Sequence, residues 1–311
     1  MDMNSKIYVA GHSGLVGSAI IRNLSKKGFK NLAMKSHQEL DLTSQVQVGA
    51  FFAEEMPEYV FLAAAHVGGI QANSAYPADF FFINSMIQNN VINSAYKNNV
   101  KKLLFLGSSC IYPKLCPQPM KEEYLLSGYL ESTNEAYALA KISGLKMCQY
   151  YNKQNGTNFI SCMPTNLYGE NDNFDLDNSH VLPALMRKFH EAKMAGEATV
   201  EIWGSGSPLR EFLHVDDMAD ACVFLMENYN EMEHVNIGTG KELSIKDLAI
   251  LIKKTVGYNG ELIFNSSKPD GMPRKLLDIS KLTGLGWKFS QDLEEGIKAT
   301  YQWYVENKVK R

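Results

Sequence analysis

Ser108 and Cys110 directly follow a short apolar run, residues 103–106, that has the composition of a buried strand. Such a strand would deliver a hydroxyl and a thiol to its carboxyl end, where open α/β sheets bind their ligands. A hydroxyl at this position can hold the oxygen of a carbonyl group. The stretch therefore predicts a site for a ketone substrate at the end of this strand.

Tyr137 and Lys141 stand four positions apart on a predicted helix for which we expect Asn134 to be the N-cap. Positions i and i+4 share one helix face, so both side chains point the same way. We expect the ammonium to lower the phenol pKa from about 10, which suits a proton donor to a ketone. Tyr-x-x-x-Lys alone is a common accidental pairing, but together with Ser108 it predicts ketone reduction.

The first predicted strand, residues 6–10, runs into a glycine-rich turn that opens a helix reaching about Lys27. Glycines spaced G-x-x-G-x-x-G let the backbone approach a pyrophosphate, whose charge the helix N-terminus favours. Close packing alone is the alternative, but a strand before the turn and a helix after it favour dinucleotide binding. The turn residues predicted to bind the cofactor are Gly11, His12, Ser13, Gly14, Leu15, Val16 and Gly17.

The second predicted strand, residues 31–35, ends without the carboxylate that would hold an adenosine 2′-hydroxyl. Lys35 and His37 stand there instead, with Ser13 as a further donor. Because basic groups attract a 2′-phosphate, we predict NADP(H) as the cofactor. The alternative is that Lys35 and His37 are ordinary surface residues.

Strands and helices alternate along the first half of the chain, which predicts an α/β fold of the Rossmann type with a doubly wound parallel sheet. A helix from Pro77 to about Asn98 and a proline-broken loop between Tyr112 and Thr133 separate the central elements. Further strands of this sheet are predicted at residues 59–63, 103–106, 159–163 and 234–237.

The chain changes character at Glu170, where a polar loop without periodicity reaches His180. Beyond it we predict a smaller, discontinuous α/β lobe that binds substrate. Its predicted elements are a helix at 181–194, a strand at 199–203, a helix capped by Ser244, a strand at 261–264 and a terminal helix near Tyr304. The predicted division is 1–169 with 211–240 for the NADP-binding domain, and 170–210 with 241–311 for the lobe.

Composition excludes several classes of function. A net charge of −3, from 31 basic and 34 acidic residues, gives no reason to expect binding to nucleic acid or to an anionic membrane. Five cysteines without a C-x-x-C pair predict free thiols in a reducing compartment and no metal site. No signal peptide or long apolar run is recognisable, so we expect a cytoplasmic protein.

Several motifs give the chain a resemblance to a known family. The glycine turn, Ser108 and Tyr137-x-x-x-Lys141 match the extended short-chain dehydrogenase/reductases. Within that family, the chain most resembles the 3,5-epimerase-4-reductases that act on GDP-4-keto-6-deoxy-D-mannose. The closer resemblance is carried by residues 107–113, 164–169, 178–181, 210–217 and 268–271.

The resemblance implies a two-stage reaction at one site. The C4 ketone acidifies the protons on C3 and C5, so a base can remove each proton and an acid on the opposite face can return it. The family assigns this work to Cys110 and His180, whose thiol and imidazole titrate near neutrality. Hydride from NADPH then reduces C4, with Tyr137 as the acid, Lys141 on the nicotinamide ribose and Ser108 on the oxygen.

The resemblance also implies the binding residues and a homodimer formed by the helices from Pro77 and Glu135. For the GDP part of the substrate it implies Lys188, Trp203, Arg210, Asp270 and Arg274. For the cofactor, besides the turn residues, Lys35 and His37, it implies Leu42, Leu106, Gly107, Ser108, Ser109, Tyr137, Lys141, Pro164, Thr165, Asn166, Leu167 and His180.

Three positions depart from the family, because Ser13, His37 and Lys188 replace arginines of relatives. The first two bear on the NADPH preference, and the third keeps a charge but loses the bidentate fork. A different enzyme of the family acting on a nucleotide sugar is an alternative function, although residues 133–135 do not supply the acid/base pair of a dehydratase. A non-catalytic nucleotide-sensing protein is a second alternative.

Overall fold

The computed structural model describes residues 1–176, 179–268 and 270–309. Asp177 and Asn178, from the predicted polar loop, and Pro269, from the 268–271 motif, lie outside the described residues. Within the described ranges, no helix is both long and apolar enough to cross a membrane.

The strands of the described ranges agree closely with the predicted ones at the centre of the large sheet. In chain order they are β1 (Ile7–Ala10), β2 (Leu32–Ala33), β3 (Tyr59–Leu62), β4 (Lys102–Leu106), β5 (Phe159–Pro164), β6 (Asn166–Tyr168), β7 (Thr199–Trp203), β8 (Leu209–His214), β9 (Val235–Ile237), β10 (Glu242–Ser244), β11 (Glu261–Asn265) and β12 (Arg274–Lys275).

The α-helices of the described ranges alternate with these strands. In chain order they are α1 (Leu15–Lys26), α2 (Gln45–Glu55), α3 (Ile70–Ala75), α4 (Pro77–Lys97), α5 (Glu135–Asn155), α6 (Val181–Ala195), α7 (Val215–Asn228), α8 (Ile245–Val256), α9 (Ser280–Gly284) and α10 (Leu293–Tyr304), which continues as a π-helical segment, Val305–Val309.

The large sheet has the strand order β2-β1-β3-β4-β5-β9, and each of its neighbouring pairs is parallel. Its strands are buried on both faces, as their apolar composition predicts. Along β1, Ile7 and Val9 pack on the core side that holds α1 and α7, whereas Tyr8 and Ala10 pack on the side of α2, α4 and α5. The predicted doubly wound Rossmann-type fold is confirmed.

Helix α5 lies unusually close to the sheet because Gly144 has no side chain. A Cβ atom at Gly144 would come within 2.6 Å of both the Phe105 ring on β4 and the Gln88 side chain on α4. Gln88 is buried and donates hydrogen bonds to the carbonyl of Ala140 and the hydroxyl of Ser143. The close approach places the first half of α5 against the carboxyl end of β4.

A second group of elements forms a smaller α/β layer with its own core. Strand β8 pairs with β10, β12 and β6, while β7 and β11 form a separate parallel pair. Phe189 of α6, Ile202 of β7, Leu248 of α8 and Ile297 of α10 lie in one apolar cluster. This cluster draws on both chain segments that we assigned to the lobe, but it also contains Tyr168 and Phe212.

Several local predictions were incomplete. Helix α3 and strands β6, β8, β10 and β12 had not been predicted, because two- to six-residue segments carry little periodicity. The loop predicted between Tyr112 and Thr133 contains short 3₁₀ turns, including Glu122–Tyr124. Ser244 caps α8 as predicted, accepting a hydrogen bond from the amide of Asp247.

Candidate functional site

The end of β4 turns sharply so that Ser108 and Cys110 share one edge of the sheet. The amide of Gly107 still bonds across to β5, donating to the carbonyl of Cys162 at 2.9 Å. Ser108 is extended, and its hydroxyl accepts a hydrogen bond of 3.2 Å from the amide of Cys110. A short 3₁₀ turn, Ser109–Ile111, therefore begins with both side chains at the carboxyl edge.

Helix α5 brings Tyr137 and Lys141 to this same edge. Lys141 is 3% exposed, and its ammonium donates a 2.8 Å hydrogen bond to the carbonyl of Leu106, the last residue of β4. It lies 5.7 Å from the centroid of the Tyr137 ring, and the Ser108 hydroxyl is near enough to the phenol to affect its pKa. The structure thus assembles Ser108, Tyr137 and Lys141 around one point.

The expected lowering of the Tyr137 pKa was wrong for this arrangement. Burial raises the pKa of the phenol, and negative charge on Cys110 raises it further, while the hydrogen bond to Ser108 lowers it. Lys141 does not offset these effects, since its ammonium is bonded to Leu106 and burial lowers its own pKa to about 8. Tyr137 consequently carries its proton at neutral pH, as an acid in ketone reduction must.

Cys110 is the half-buried cysteine of the chain, whereas the other four are buried. Its sulfur receives a hydrogen bond from the amide nitrogen of Asn134 at 3.2 Å and another from the ammonium of Lys275 at 3.4 Å. Burial raises the thiol pKa, but the charge of Lys275 and the hydrogen bonds from Ser108, Lys275 and Asn134 outweigh it and lower the pKa overall.

Asn134 does not act as the predicted cap of α5. It occupies the N-cap position, but its side chain makes no capping hydrogen bond and is directed at Cys110 instead. The turn before the helix is capped by Glu131, whose carboxylate accepts from the amide of Thr133.

His180 occupies the N-cap position of α6 and leaves its side chain exposed. The pKa of its imidazole is lowered, because neighbouring groups reduce its hydration and because the positive charge of Lys275 disfavours imidazolium. Lys275 is thus within electrostatic range of both His180 and Cys110, which come from segments far apart in the chain.

The glycine turn forms a cradle of bare backbone. Gly11 has φ +82°, and a Cβ there would approach the backbone of Ala64 to 2.8 Å. A Cβ on Gly17 would lie 2.0 Å from the carbonyl oxygen of Gly11. No described side chain caps α1 at Gly14, so its first amides are open to an anion. These features fit a bound pyrophosphate.

The segment after β2, where we predicted the adenosine 2′-phosphate, differs from the prediction in one respect. Strand β2 ends at Ala33, and a carboxylate, Glu39, folds back to accept hydrogen bonds from the amide and hydroxyl of Ser36. These bonds, with the nearby charge of Lys35, lower the pKa of Glu39. Lys35 is half-buried, while His37 and Ser13 are exposed.

The remaining predicted cofactor residues line the strand ends beside the turn. Leu106 is buried, and Leu42 is half-buried with its carbonyl held by the Asn90 side chain. In the segment from Pro164 to Leu167, Thr165 and Asn166 both donate side-chain hydrogen bonds to the carbonyl of Glu211. These bonds join the large sheet to β8 of the smaller layer.

Trp203 is 46% exposed and lies at the end of β7 between two cations. The ammonium of Lys188 is 5.2 Å from its ring and that of Lys268 is 5.0 Å away. Lys268 had not been singled out from the sequence. An exposed indole flanked by positive charge can stack on an aromatic base next to a phosphate.

Arg210, on β8, is within electrostatic range of both Asp270 and Cys110. Its guanidinium donates to the carbonyl of Leu209, and no described carboxylate forms an ion pair with it. Asp270 instead accepts from the amide and hydroxyl of Ser205. Arg274 forms an ion pair with Glu242. Of the two predicted arginine contacts to GDP, Arg210 is therefore the one available to bind an anion.

The chain is similar to known proteins over nearly its whole length. The model of the NAD dependent epimerase/dehydratase family matches residues 7–238. The chain belongs to this family. It is 61% identical to GDP-L-fucose synthase 1 of Arabidopsis thaliana over 310 residues, covering 100% of this chain and 96% of that protein.

Two further members of the family are similar over their whole length. GDP-L-fucose synthase of Escherichia coli (strain K12) is 53% identical over 311 residues, with 97% of each chain covered. The structure of a GDP-mannoheptose C4 reductase from Campylobacter jejuni with NADP bound has a TM-score of 0.91 and 48% identity, covering 98% of this chain and 99% of that one.

Sequence reasoning missed Lys275 and the contact that Asn134 makes. Lys275 follows Arg274 in a stretch without regular periodicity, and its partner Cys110 is 165 positions away. Such a contact has no local pattern that could have indicated it. In the part of the chain that the structure describes, no group of three or more His, Cys, Asp or Glu residues could hold a metal ion.

The buried ammonium of Lys141 generates a testable pH dependence. Its pKa falls from 10.5 in the unfolded chain to about 8 in the native protein. Between these values the native state has released this proton and the unfolded chain has not, so Lys141 contributes a rise of about 3 kcal/mol to the free energy of unfolding over the whole window. Buried cysteines and tyrosines with raised pKa oppose this rise, but they are common to both proteins. Urea unfolding at pH 7 to 10.5 should therefore show the free energy of the wild type rising by about that amount relative to Lys141→Met.

Lys153→Met, at an exposed position on the same helix, is the matched control and should keep the wild-type slope. The comparison with Lys141→Met is needed because Lys102 is also shifted to about 8 and contributes to the wild-type slope. Identical slopes for the wild type and Lys141→Met would contradict the buried, weakly basic lysine.

Proposed function

We propose that the chain converts GDP-4-keto-6-deoxy-D-mannose to GDP-L-fucose, by 3,5-epimerisation followed by NADPH-dependent reduction of the 4-ketone. The observation that carries the proposal is the assembly of Ser108, Tyr137 and Lys141 with a thiol of lowered pKa at one strand end. Full-length similarity to GDP-L-fucose synthases supports the substrate.

Epimerisation needs a base and an acid on opposite faces of the sugar ring. Cys110 comes from the sheet edge and His180 from the start of α6, so different elements supply the two groups. Removing a proton next to the ketone leaves an enolate, whose oxygen Ser108 and Tyr137 can stabilise with their hydroxyl hydrogens. Protonation from the other side then inverts the carbon.

Reduction uses the groups on α5. When bound, the nicotinamide supplies hydride to C4. Ser108 positions the C4 oxygen and Tyr137, protonated at neutral pH, gives it a proton. Lys141, whose ammonium is bonded to the carbonyl of Leu106, would hold the nicotinamide ribose. Gly11, Gly14 and Gly17 would hold the pyrophosphate.

The GDP part would lie along the smaller layer. Trp203, with Lys188 beside it, would stack on the base, and Arg210 would take the diphosphate oxygens. The proposed division into a cofactor domain, 1–169 with 211–240, and a substrate lobe, 170–210 with 241–311, is supported by the separate apolar cluster of the lobe.

A C4 reductase that acts on another GDP-sugar without epimerisation is the second candidate, because the Campylobacter jejuni relative bears such a name. That reaction needs Ser108, Tyr137 and Lys141 but no basic sulfur. The two donors directed at Cys110 favour the bifunctional enzyme. A binding-only protein would need none of the three reduction residues. A cytoplasmic location remains a prediction.

The two stages should be separable by mutation. Tyr137→Phe should slow NADPH oxidation by a factor of roughly 10² to 10⁴, because the oxygen loses its proton donor, yet still exchange substrate protons with D₂O. Cys110→Ser should lose that exchange. Absorbance at the NADPH band and proton NMR of the substrate are the measurements.

Tyr129→Phe, at a tyrosine that is 93% exposed, serves as the control and should behave as the wild type. Absence of NADPH oxidation by the wild-type protein with this substrate would refute the proposed function. Oxidation without any proton exchange would point to the C4 reductase.

We propose NADP(H) as the cofactor because Lys35 stands at the adenosine end and Glu39 is held by Ser36. Lys35→Ala should raise KM for NADPH by roughly tenfold or more, since a charge-assisted hydrogen bond contributes about 1.5–3 kcal/mol. KM for NADH should change little. Lys30→Ala is the control, and an equal effect on both cofactors would contradict the assignment.

We also propose a homodimer formed by α4 and α5. Their outer faces expose Phe81 and Phe82 on α4 and Leu139 and Tyr150 on α5, and Phe82 is 62% exposed. Phe82→Glu should convert the dimer to monomer in sedimentation velocity, whereas Met194→Glu on α6 should not. A wild-type protein that sediments only as a monomer would refute the dimer.

A further inference from the structure

The sulfur of Cys110 is surrounded by donors. Asn134 directs its amide nitrogen at the sulfur from 3.2 Å, and Lys275 directs its ammonium from 3.4 Å. A neutral thiol is a weak acceptor, whereas a thiolate accepts several charge-assisted hydrogen bonds well. Two N–H donors directed at one sulfur therefore match the ionised form of the side chain.

Strand pairing and hydrogen bonds fix the backbone around Lys275. Strand β12 pairs in parallel with β8, which sets Lys275 beside Arg210. The next two amides are also fixed, because that of Leu276 donates to Gln118 and that of Leu277 donates to the carboxylate of Glu211. Glu211 is 0% exposed, so this anchor belongs to the rigid part of the fold.

The charge of Lys275 has no competing carboxylate. Among the described residues, no Asp or Glu forms an ion pair with it, in contrast to its neighbour Arg274, which pairs with Glu242. The titratable and charged groups that face Cys110 are Lys275, Arg210 and Tyr137, and His180 faces Lys275. Both cations of this set favour a negative sulfur.

We propose that Lys275 is a positioning residue that keeps Cys110 ionised, with Asn134 as the second donor, and thereby makes Cys110 the base of the epimerisation. The assignment as base rests on the proposed function, but the ionisation of Cys110 does not.

The thiolate takes the proton, so the C–H bond next to the ketone breaks, an S–H bond forms and the electron pair moves into the enolate. The carbon then takes a proton from His180 on the opposite face, after that imidazole has been protonated by solvent. The Cys110 thiol returns its proton to solvent, which restores the starting state.

The ionisation can be measured without substrate. The rate of alkylation of Cys110 by iodoacetamide, followed by mass spectrometry from pH 5 to 10, gives the thiol titration midpoint. We expect a wild-type midpoint below the ordinary cysteine value of about 8.5. Lys275→Met should raise the midpoint by about one pH unit or more and slow alkylation at pH 7 about tenfold, whereas Lys275→Arg should largely restore both.

Asn134→Leu, which removes the other donor, should raise the midpoint less than Lys275→Met because it removes no charge. Cys110→Ser gives the background from the four buried cysteines. Thermal unfolding of each variant reports whether the fold persists, and the Asn134 variant tests the donors independently if Lys275→Met is unstable. Equal midpoints for the wild type, Lys275→Met and Asn134→Leu would overturn the proposal.

The pH dependence of proton exchange into GDP-4-keto-6-deoxy-D-mannose tests the base assignment. Its rising limb should shift with the alkylation midpoint in Lys275→Met and return in Lys275→Arg. An unshifted limb despite a shifted midpoint would overturn Cys110 as the base. Absence of exchange in the wild type, with the midpoints as expected, would refute the proposed function and leave the ionisation of Cys110 standing.

Discussion

The close contact of α5 with the end of β4 is the constraint on which the site depends. Gly144 allows the approach, and the hydrogen bond from Lys141 to the carbonyl of Leu106 joins helix and strand at the catalytic edge. Without this contact, Tyr137 would not meet Ser108. The proposed ketone site is therefore a consequence of packing between two elements of the core.

The smaller layer supplies a further residue to the site. Glu211, at the start of the smaller layer, binds the amides of Thr239, Gly240 and Leu277 through one buried carboxylate. It thereby fixes the segment that carries Lys275 to Cys110. The residues proposed for reduction thus belong to the large sheet and α5, whereas the ammonium bonded to the Cys110 sulfur comes from the smaller layer.

The local features of this arrangement could be predicted from sequence, but its long-range contacts could not. Three features depend only on residues that are close together in the sequence. They are the strand before Ser108, the glycine turn, and the i, i+4 spacing of Tyr137 and Lys141. The contact between Lys275 and Cys110 is not, and neither is the effect of burial on the Tyr137 pKa, which reversed the expected direction. For the Tyr137 pKa, burial in the folded protein had a larger effect than the neighbouring ammonium of Lys141.

In the proposed reaction, proton transfer and hydride transfer occur at one site in this chain. Proton NMR of the product made from GDP-4-keto-6-deoxy-D-mannose and unlabelled NADPH in D₂O tests it most directly. We predict deuterium at C3 and C5 and protium at C4, in an L-configured 6-deoxy sugar. Protium at C3 and C5 of a reduced product with unchanged configuration would contradict it.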